Sequence, residues 1–308
     1  MIDKKNILIG GAILVGLYLL NPFSGNAALD DRNFSYKTDT LSINNFVGRI
    51  NISPSPDAEL HINISNISEN SNPKIDNIVG KLEINGSETI ARSSCNDFSL
   101  FSWNLFGHAE HDNPNISING GTGQKLSEYP ILHIKLPETT KLKLNNNIIT
   151  GSISNVQSLD LKASSCTSLK FANIAGDADI SLRGSGDIVV NDIGGSAKVT
   201  VRGSGDVSVH NVAQDSQTLV QGSGDIQYNQ LNGINRMQVH GSGDIDVGYI
   251  NGDAELSVRG SGDIDIRGGD VNWLIAKIQG SGDIDYDGKA NNTRFITQGS
   301  GDITTNYN

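Results

Sequence analysis

Gly-Ser-Gly-Asp occurs seven times in the second half of this chain, starting at Gly184, Gly203, Gly222, Gly241, Gly260, Gly280 and Gly299. Successive copies lie 19 residues apart, with one spacing of 20 between Gly260 and Gly280. A unit this short cannot bury an apolar face by itself, so a strict repeat of it implies copies stacked on one another. The flanking residues indicate how. Ile188, Val207, Ile226, Ile245, Ile264, Ile284 and Ile303 follow the seven Asp, and two residues on come Val190, Val209, Tyr228, Val247, Ile266 and Tyr286. Apolar residues at every second position mark a strand with one buried face. Val199 and Val201, Thr218 and Val220, Met237 and Val239, and Leu256 and Val258 trace a second strand in each unit. An apolar anchor (Ile193, Val212, Leu231, Ile250) and then Gly or polar residues form the bend between the two. The expected fold is all-β: a parallel β-helix (solenoid) of about nineteen-residue coils, right-handed by the general handedness of parallel crossovers, with equivalent residues in columns about 4.8 Å apart.

The glycines of the signature suit a tight corner with positive φ. The extra residue of the fifth unit, near Trp273, reads as a bulge or widened turn. Ala163 to Leu169 falls one period before the first intact copy and reads as a degenerate corner, with another between Asn146 and Val156. Upstream, Leu41-x-Ile43, Ile50-x-Ile52, Leu60-x-Ile62-x-Ile64, Leu82-x-Ile84, Ile116-x-Ile118 and Leu132-x-Ile134-x-Leu136 alternate as strands do, with longer and irregular connections. The expected organisation is a signal peptide or N-terminal anchor at 1–27, an irregular β-rich region at 28–145 and the regular solenoid at 146–308.

Lys4 and Lys5 precede an apolar run from Ile7 to Leu20, and small residues follow around Gly25 to Ala28. Fourteen residues are short for a spanning helix of about 20, so a cleaved secretory signal is the first reading and an uncleaved anchor the second. Export permits a disulfide between the only cysteines, Cys95 and Cys166; two free thiols are the alternative. The formal net charge of −11 argues against nucleic acid and anionic lipid surfaces as partners, leaving the membrane only through the N-terminal segment.

With its string of Gly-Ser-Gly-Asp-Ile coils, the chain resembles the bacterial exported family described as putative auto-transporter adhesin, head GIN domain, over roughly residues 35 to 308. Phe46-Val-Gly-Arg-Ile50 and Tyr129-Pro-Ile-Leu-His-Ile-Lys-Leu-Pro137 look like that family's irregular first half. The resemblance implies a β-helical surface or periplasmic protein, and it does not imply a catalytic site.

One column carries the sharpest chemistry: Asp187, Asp206, Asp225, Asp244, Asp263, Asp283 and Asp302. Stacked carboxylates at this pitch repel by roughly 0.9 kcal/mol per neighbouring pair in water. Two explanations offer themselves. Backbone N–H groups of each Asp's own corner could satisfy it, helped by the column four residues earlier, Arg183, Arg202, Gln221, His240, Arg259, Gln279 and Gln298. Alternatively the column could hold Ca²⁺, the one cofactor considered, with Asp246, Asp265 and Asp285 as a second short acidic column. The aromatic segment with Phe98, Phe101, Trp103 and Phe106 reads as a cap over an open end of the solenoid or as a partner-binding surface. His108, Glu110, His111 and Asp112 fit no closed zinc pattern and read as a solvated loop.

The leading functional expectation is an exported, non-catalytic binding or adhesion-like module in the periplasm or at the cell surface, partnered by an envelope protein or glycan surface. A periplasmic structural or envelope-maintenance protein is the alternative. A polysaccharide-active enzyme of β-helix type is the third class, disfavoured because the corner Asp are equivalent and the coils leave no room for cleft-forming loops. The last coil ends in polar residues, so a homodimer through the C-terminal edge is also expected.

Overall fold

The computed structural model describes residues 32–68, 71–87, 89–96, 113–164 and 166–306. It is a parallel β-solenoid of about nine coils from Lys141 onward, each about nineteen residues long. Every coil has an approach strand, a Gly-Ser-Gly-Asp corner, an exit strand and a return bend. Approach strands such as Ala178–Gly184, Ala197–Gly203, Ser216–Gly222 and Ile234–Gly241 pair in parallel, each residue with the one nineteen later. Exit strands Gly186–Ile193, Asp206–Val212 and Ile226–Leu231 do the same on the opposite face. The alternating residues fill the space between the two sheets in columns, one of which runs Ile180, Val199, Met237, Leu256 and Ala276, all at most 1% exposed. The bend anchors Ile193, Val212, Leu231 and Ile250 close the core at its other end.

Two pairs of polar residues inside the core are satisfied within it. Tyr228 and Thr218 share a hydroxyl–hydroxyl bond of 2.8 Å, and burial pushes the Tyr228 phenol far above its ordinary value. Ser216 donates to Asn235 Oδ1, and Asn235 is fully buried. The extra residue near Trp273 is a bulge: pairing shifts between Gly252 and Ala254, and the Trp273 N–H reaches Asp253 Oδ1 at 3.1 Å.

Stacking does not stop at residue 146. Lys141–Ile153 lies in parallel on Thr40–Asn44 and on Val47–Pro54, so chain from the first sixty residues forms a further rung. Here the corner is built on asparagine. Asn45 and Asn146 hold φ of 50° and 51°, the left-handed region that Asn tolerates better than most residues. Buried Asn147 accepts from the Phe46 N–H and donates to the Ile43 carbonyl. One more rung is parallel, Lys81–Asn85 on Thr40–Asn44 and Ile131–Leu136 on Val47–Pro54; beyond it the pairing turns antiparallel, with Lys74–Ile78 on Lys81–Asn85 closing one sheet and Leu60–Ser65 then Arg32–Tyr36 closing the other. The only helix among the described residues is the 3-10 turn Leu126–Glu128, and none is long and apolar enough to cross a membrane.

Candidate functional site

The corner explains why its sequence is so constant. Its first glycine has positive φ, 130° at Gly203 and 141° at Gly260. The second needs no unusual dihedral but lies flat on the preceding coil: a Cβ on Gly224 would stand 2.1 Å from the Gly205 carbonyl oxygen. The first glycine thus meets a requirement of conformation and, with a Cβ on Gly260 standing 2.1 Å from the Gly241 carbonyl oxygen, one of contact; the second meets contact alone.

The aspartate that follows bonds along the axis. The Asp225 N–H donates to Asp206 Oδ1 at 2.9 Å, that of Asp244 to Asp225 at 2.8 Å, and that of Asp263 to Asp244 at 2.8 Å. Asp283 and Asp302 continue the ladder at 2.7 and 2.8 Å. The donor thus comes from the next coil, not from the Asp's own corner as the sequence suggested. The helping basic column is also corrected. Among the described residues no ion pair joins it to Asp206, Asp225, Asp244, Asp263, Asp283 or Asp302; instead it bonds to itself, Arg202 to Gln221 and Gln279 to Gln298. Asp187, at the start of the column, is buried.

Electrostatic strain remains in the ladder. Burial, then the neighbouring carboxylates, holds Asp225 and Asp244 above the ordinary carboxylate range. Asp265, between Asp246 and Asp285 on the exit face, is raised by the same causes. Burial and Arg259 lower His240. The carboxylates are strung out along the axis, and among the described residues no three of His, Cys, Asp or Glu gather in a group that could hold a metal ion.

A second ladder, which the repeat search does not single out, runs along the return bend. Asp177 Oδ1 accepts the Ser196 N–H and Asp215 Oδ1 the Ile234 N–H, both at 2.8 Å, and Asp253 serves Trp273 in the same way. These Asp occupy alternate coils, 38 residues apart, and that doubled period is the signal that could have revealed them.

Beside this ladder lies a groove of about 830 Å³ along the start of the approach sheet. Its floor is Leu142, Leu159, Ala178, Ala197 and Ser216, where small residues replace the leucines as the coils advance. The bend column Lys141, Ser158, Asp177, Ser196 and Asp215 flanks it on one side; Lys143, Asp160, Asp179, Lys198, Gln217 and Arg236 flank it on the other. Six successive rungs span about 24 Å at the spacing of neighbouring strands. Asp179 pairs with Lys198 at 3.5 Å and Asp160 with Lys162 at 3.7 Å, while Asp177 and Asp215 hold backbone N–H groups. Lys141 and Lys143 carry no ion pair among the described residues and stand together at the N-terminal end of the groove.

Cys95 and Cys166 are joined as a disulfide, with Cα atoms 6.0 Å apart. Cys166 sits in the degenerate corner, where Thr167 pairs with Gly186 and Ser168 takes the place of Asp. The bond ties that corner to a small antiparallel sheet of Ser93–Asn96, Asn115–Ile118 and Gln124–Lys125. Ile90, Ile116, Ile118 and Leu126 pack there against Val47 and Ile148 on the solenoid's flank. Phe98, Phe101, Trp103 and Phe106, the loop from His108 to Asp112, and the N-terminal segment 1–27 lie outside the described residues.

Residues 230–306 match the family model described as putative auto-transporter adhesin, head GIN domain. The match is confined to the last coils. The matched head GIN stretch is narrower than residues 35 to 308, over which the resemblance was expected. In structure, the chain is similar to a putative adhesin from Bacteroides fragilis, 16% identical with TM-score 0.44, covering 90% of this chain and 97% of that one. It is similar to a putative adhesin from Parabacteroides distasonis, 15% identical with TM-score 0.49, over 91% and 98% of the two chains. A putative lipid binding protein from the same organism is 16% identical with TM-score 0.42, over 90% and 97%. No curated protein sequence matches the chain.

Proposed function

We propose that this chain is an exported, non-catalytic binding module of adhesion-like type, and that its ligand is an extended envelope glycan lying along the axial groove. The groove carries the reading: a ligand that repeats along its length meets a surface that repeats along its own, rung after rung over about 24 Å. Most carboxylates of the groove are already paired or bonded to backbone, so Lys141 and Lys143 are the charges left to recognise an anionic substituent such as a uronate. The adhesin family matched by the last coils is consistent with a binding role. Against a polysaccharide-cleaving enzyme stands the equivalence of the corner carboxylates, each committed to the next coil and none singled out as acid or base.

A glycan array on the purified protein, with pull-down from envelope extracts, tests the proposal. Binding to acidic glycans is expected to weaken at least tenfold in the double variant Lys141→Glu, Lys143→Glu and to survive Asp225→Asn. Capture of proteins without any glycan, or glycan binding indifferent to both lysines, would overturn it.

A further inference from the structure

Exposed apolar side chains gather on the return bend. Among the described residues the large ones that stand exposed are Ile78, Val79, Ile234, Tyr249, Trp273 and Phe295, and three of these fall on one stretch of that bend. Ile234 and Trp273 belong to the column that flanks the groove. The Ile234 N–H donates to Asp215 Oδ1, Ile234 pairs with Asp253, and Asp253 Oδ1 accepts the Trp273 N–H. Trp273 therefore lies three rungs beyond Asp215, about 14 Å farther along the axis. Tyr249 stands on the other limb of the same bend, beside the anchor Ile250.

Two independent features keep these rings bare. The first is the bulge. Along Gly269–Gly280, Gly269 and Val271 are buried while Asp270 and Asn272 are exposed, so the next residue is due inside. Instead Asn272 and Trp273 both oppose Asp253, Leu274 takes the core position, and Trp273 turns outward, 44% exposed. A bulge re-aims a side chain in this way, here against the gain from burying an indole. The second feature is Gly268, whose carbonyl accepts the Ile250 N–H and which lies over Tyr249 in the next coil. It has no positive φ, and a Cβ there would meet nothing nearer than the Tyr249 ring, at 3.4 Å. Neither conformation nor backbone contact calls for glycine at this position, and its missing side chain leaves Tyr249 uncovered.

We propose that Trp273 and Tyr249 form a stacking subsite for pyranose rings, continuing the groove along the return bend. A pyranose presents a face of weakly positive C–H bonds and a rim of hydroxyls. The negative faces of exposed indole and phenol rings suit the first. Asp270 and Asn272, exposed next to Trp273, offer acceptors and a donor to the second. The subsite rests on the reading of the groove as a glycan site and lengthens the bound ligand: from Lys141 to Trp273 is seven rung spacings, about 34 Å. It differs from the lysine end in what it reads. Lys141 and Lys143 recognise charge, whereas the aromatic pair recognises the sugar ring itself, charged or not.

Long-chain oligogalacturonate titrated into the full chain, followed by calorimetry and by tryptophan emission, tests the subsite. Wild-type emission is expected to shift to the blue as a sugar ring covers Trp273. Trp273→Ala should abolish the shift and weaken affinity at least tenfold. Tyr249→Ala and Gly268→Leu, which covers the Tyr249 ring, should each weaken affinity several-fold with the circular-dichroism melt within a few degrees of wild type. Should Trp273→Ala fail to fold, Trp273→Phe keeps a ring for stacking and should retain most of the affinity while losing the shift. The double variant Lys141→Glu, Lys143→Glu should bind more weakly yet show the full shift at saturation. Binding that needs the lysines but ignores Trp273, Tyr249 and Gly268 overturns the subsite and leaves the groove reading standing. A shift lost in Trp273→Ala, with affinity indifferent to the lysines, supports the subsite and overturns the groove reading. Absence of binding to the wild-type protein overturns the subsite.

Discussion

The solenoid turns twice per coil, and both turns hold an aspartate whose Oδ1 accepts an N–H from the next coil. At the Gly-Ser-Gly-Asp corner this happens at successive coils from Asp206 to Asp283. At the return bend it happens at alternate coils, through Asp177, Asp215 and Asp253, among residues that otherwise vary. The hydrogen bond is common to both, so it cannot be what keeps one turn constant and lets the other drift. Contact is uniform at one turn and uneven at the other. Coils touch backbone to backbone at every corner, and a side chain on the second glycine would strike a carbonyl that has nowhere to move. The return bend is as tight at Gly252 and Gly269, where a Cβ would stand 2.0 Å from a carbonyl oxygen, but open at Gly268, where it would meet nothing nearer than the Tyr249 ring, at 3.4 Å.

The largest effect tests the degenerate corner at Cys166, which lacks glycine. The disulfide from Cys166 closes 71 residues, and reducing it should cost about 4 kcal/mol in the chain-entropy treatment. Urea unfolding with and without reductant measures this, and a shift well below that size would mean that packing of the small sheet, not the bond, holds the degenerate corner. Next comes the contact itself. Gly243→Ala should lower stability by about 3 kcal/mol, because the coils must spread, whereas Gly268→Ala should stay within about 0.5 kcal/mol. Equal costs would dissolve the distinction between the two turns.

Removing an acceptor should cost less. Asp215→Ala leaves the Ile234 N–H without its carboxylate and should cost about 1 kcal/mol. Asp244→Ala removes the acceptor of the Asp263 N–H but also relieves repulsion from Asp225 and Asp263, so its cost should be smaller. Asp244→Asn keeps an acceptor oxygen and loses the charge, and should be neutral or slightly stabilising. The three substitutions compared by urea midpoint separate hydrogen bonding from charge.

The same crowding sets a pH dependence. Asp225, Asp244 and Asp265 have raised values in the folded state, so between the ordinary carboxylate value and the raised one the folded protein binds more protons than the unfolded chain. Their contribution to stability therefore falls as pH rises through that window and stays unfavourable above it. Melting temperature followed from neutral pH into the window should show this relief, and the triple Asp→Asn variant should flatten it. The smallest expected effect is that of Ca²⁺. With one oxygen of each ladder Asp from Asp206 to Asp283 already held by the next coil, added Ca²⁺ should leave the melt of chelator-treated protein unchanged. A rise of several degrees would reopen the cation ladder.

Much of this molecule is written in its period. The nineteen-residue spacing, the alternating Ile and Val, and the extra residue near Trp273 announce coils, strands and a bulge, because burial on one face of a strand leaves a trace in every second residue. The asparagine corner at Asn45 and Asn146 was less visible. Asn takes positive φ without glycine's conspicuous pattern, and its stacking partner lies about a hundred residues away. The groove could not be read at all, since its floor, Leu142 to Ser216, looks like an ordinary core column that happens to become small.

The amino-acid order was enough to establish a stacked all-β coil, to place Ile and Val inside, and to put one carboxylate at each corner, because these follow from composition at a fixed interval. Which N–H each carboxylate would face was decided only in three dimensions. A hydrogen bond is directional over less than 3 Å, and the coil pitch brings the next corner's N–H, and not the Asp's own, to the oxygen. Pitch is a property of the stack and is encoded in no single repeat.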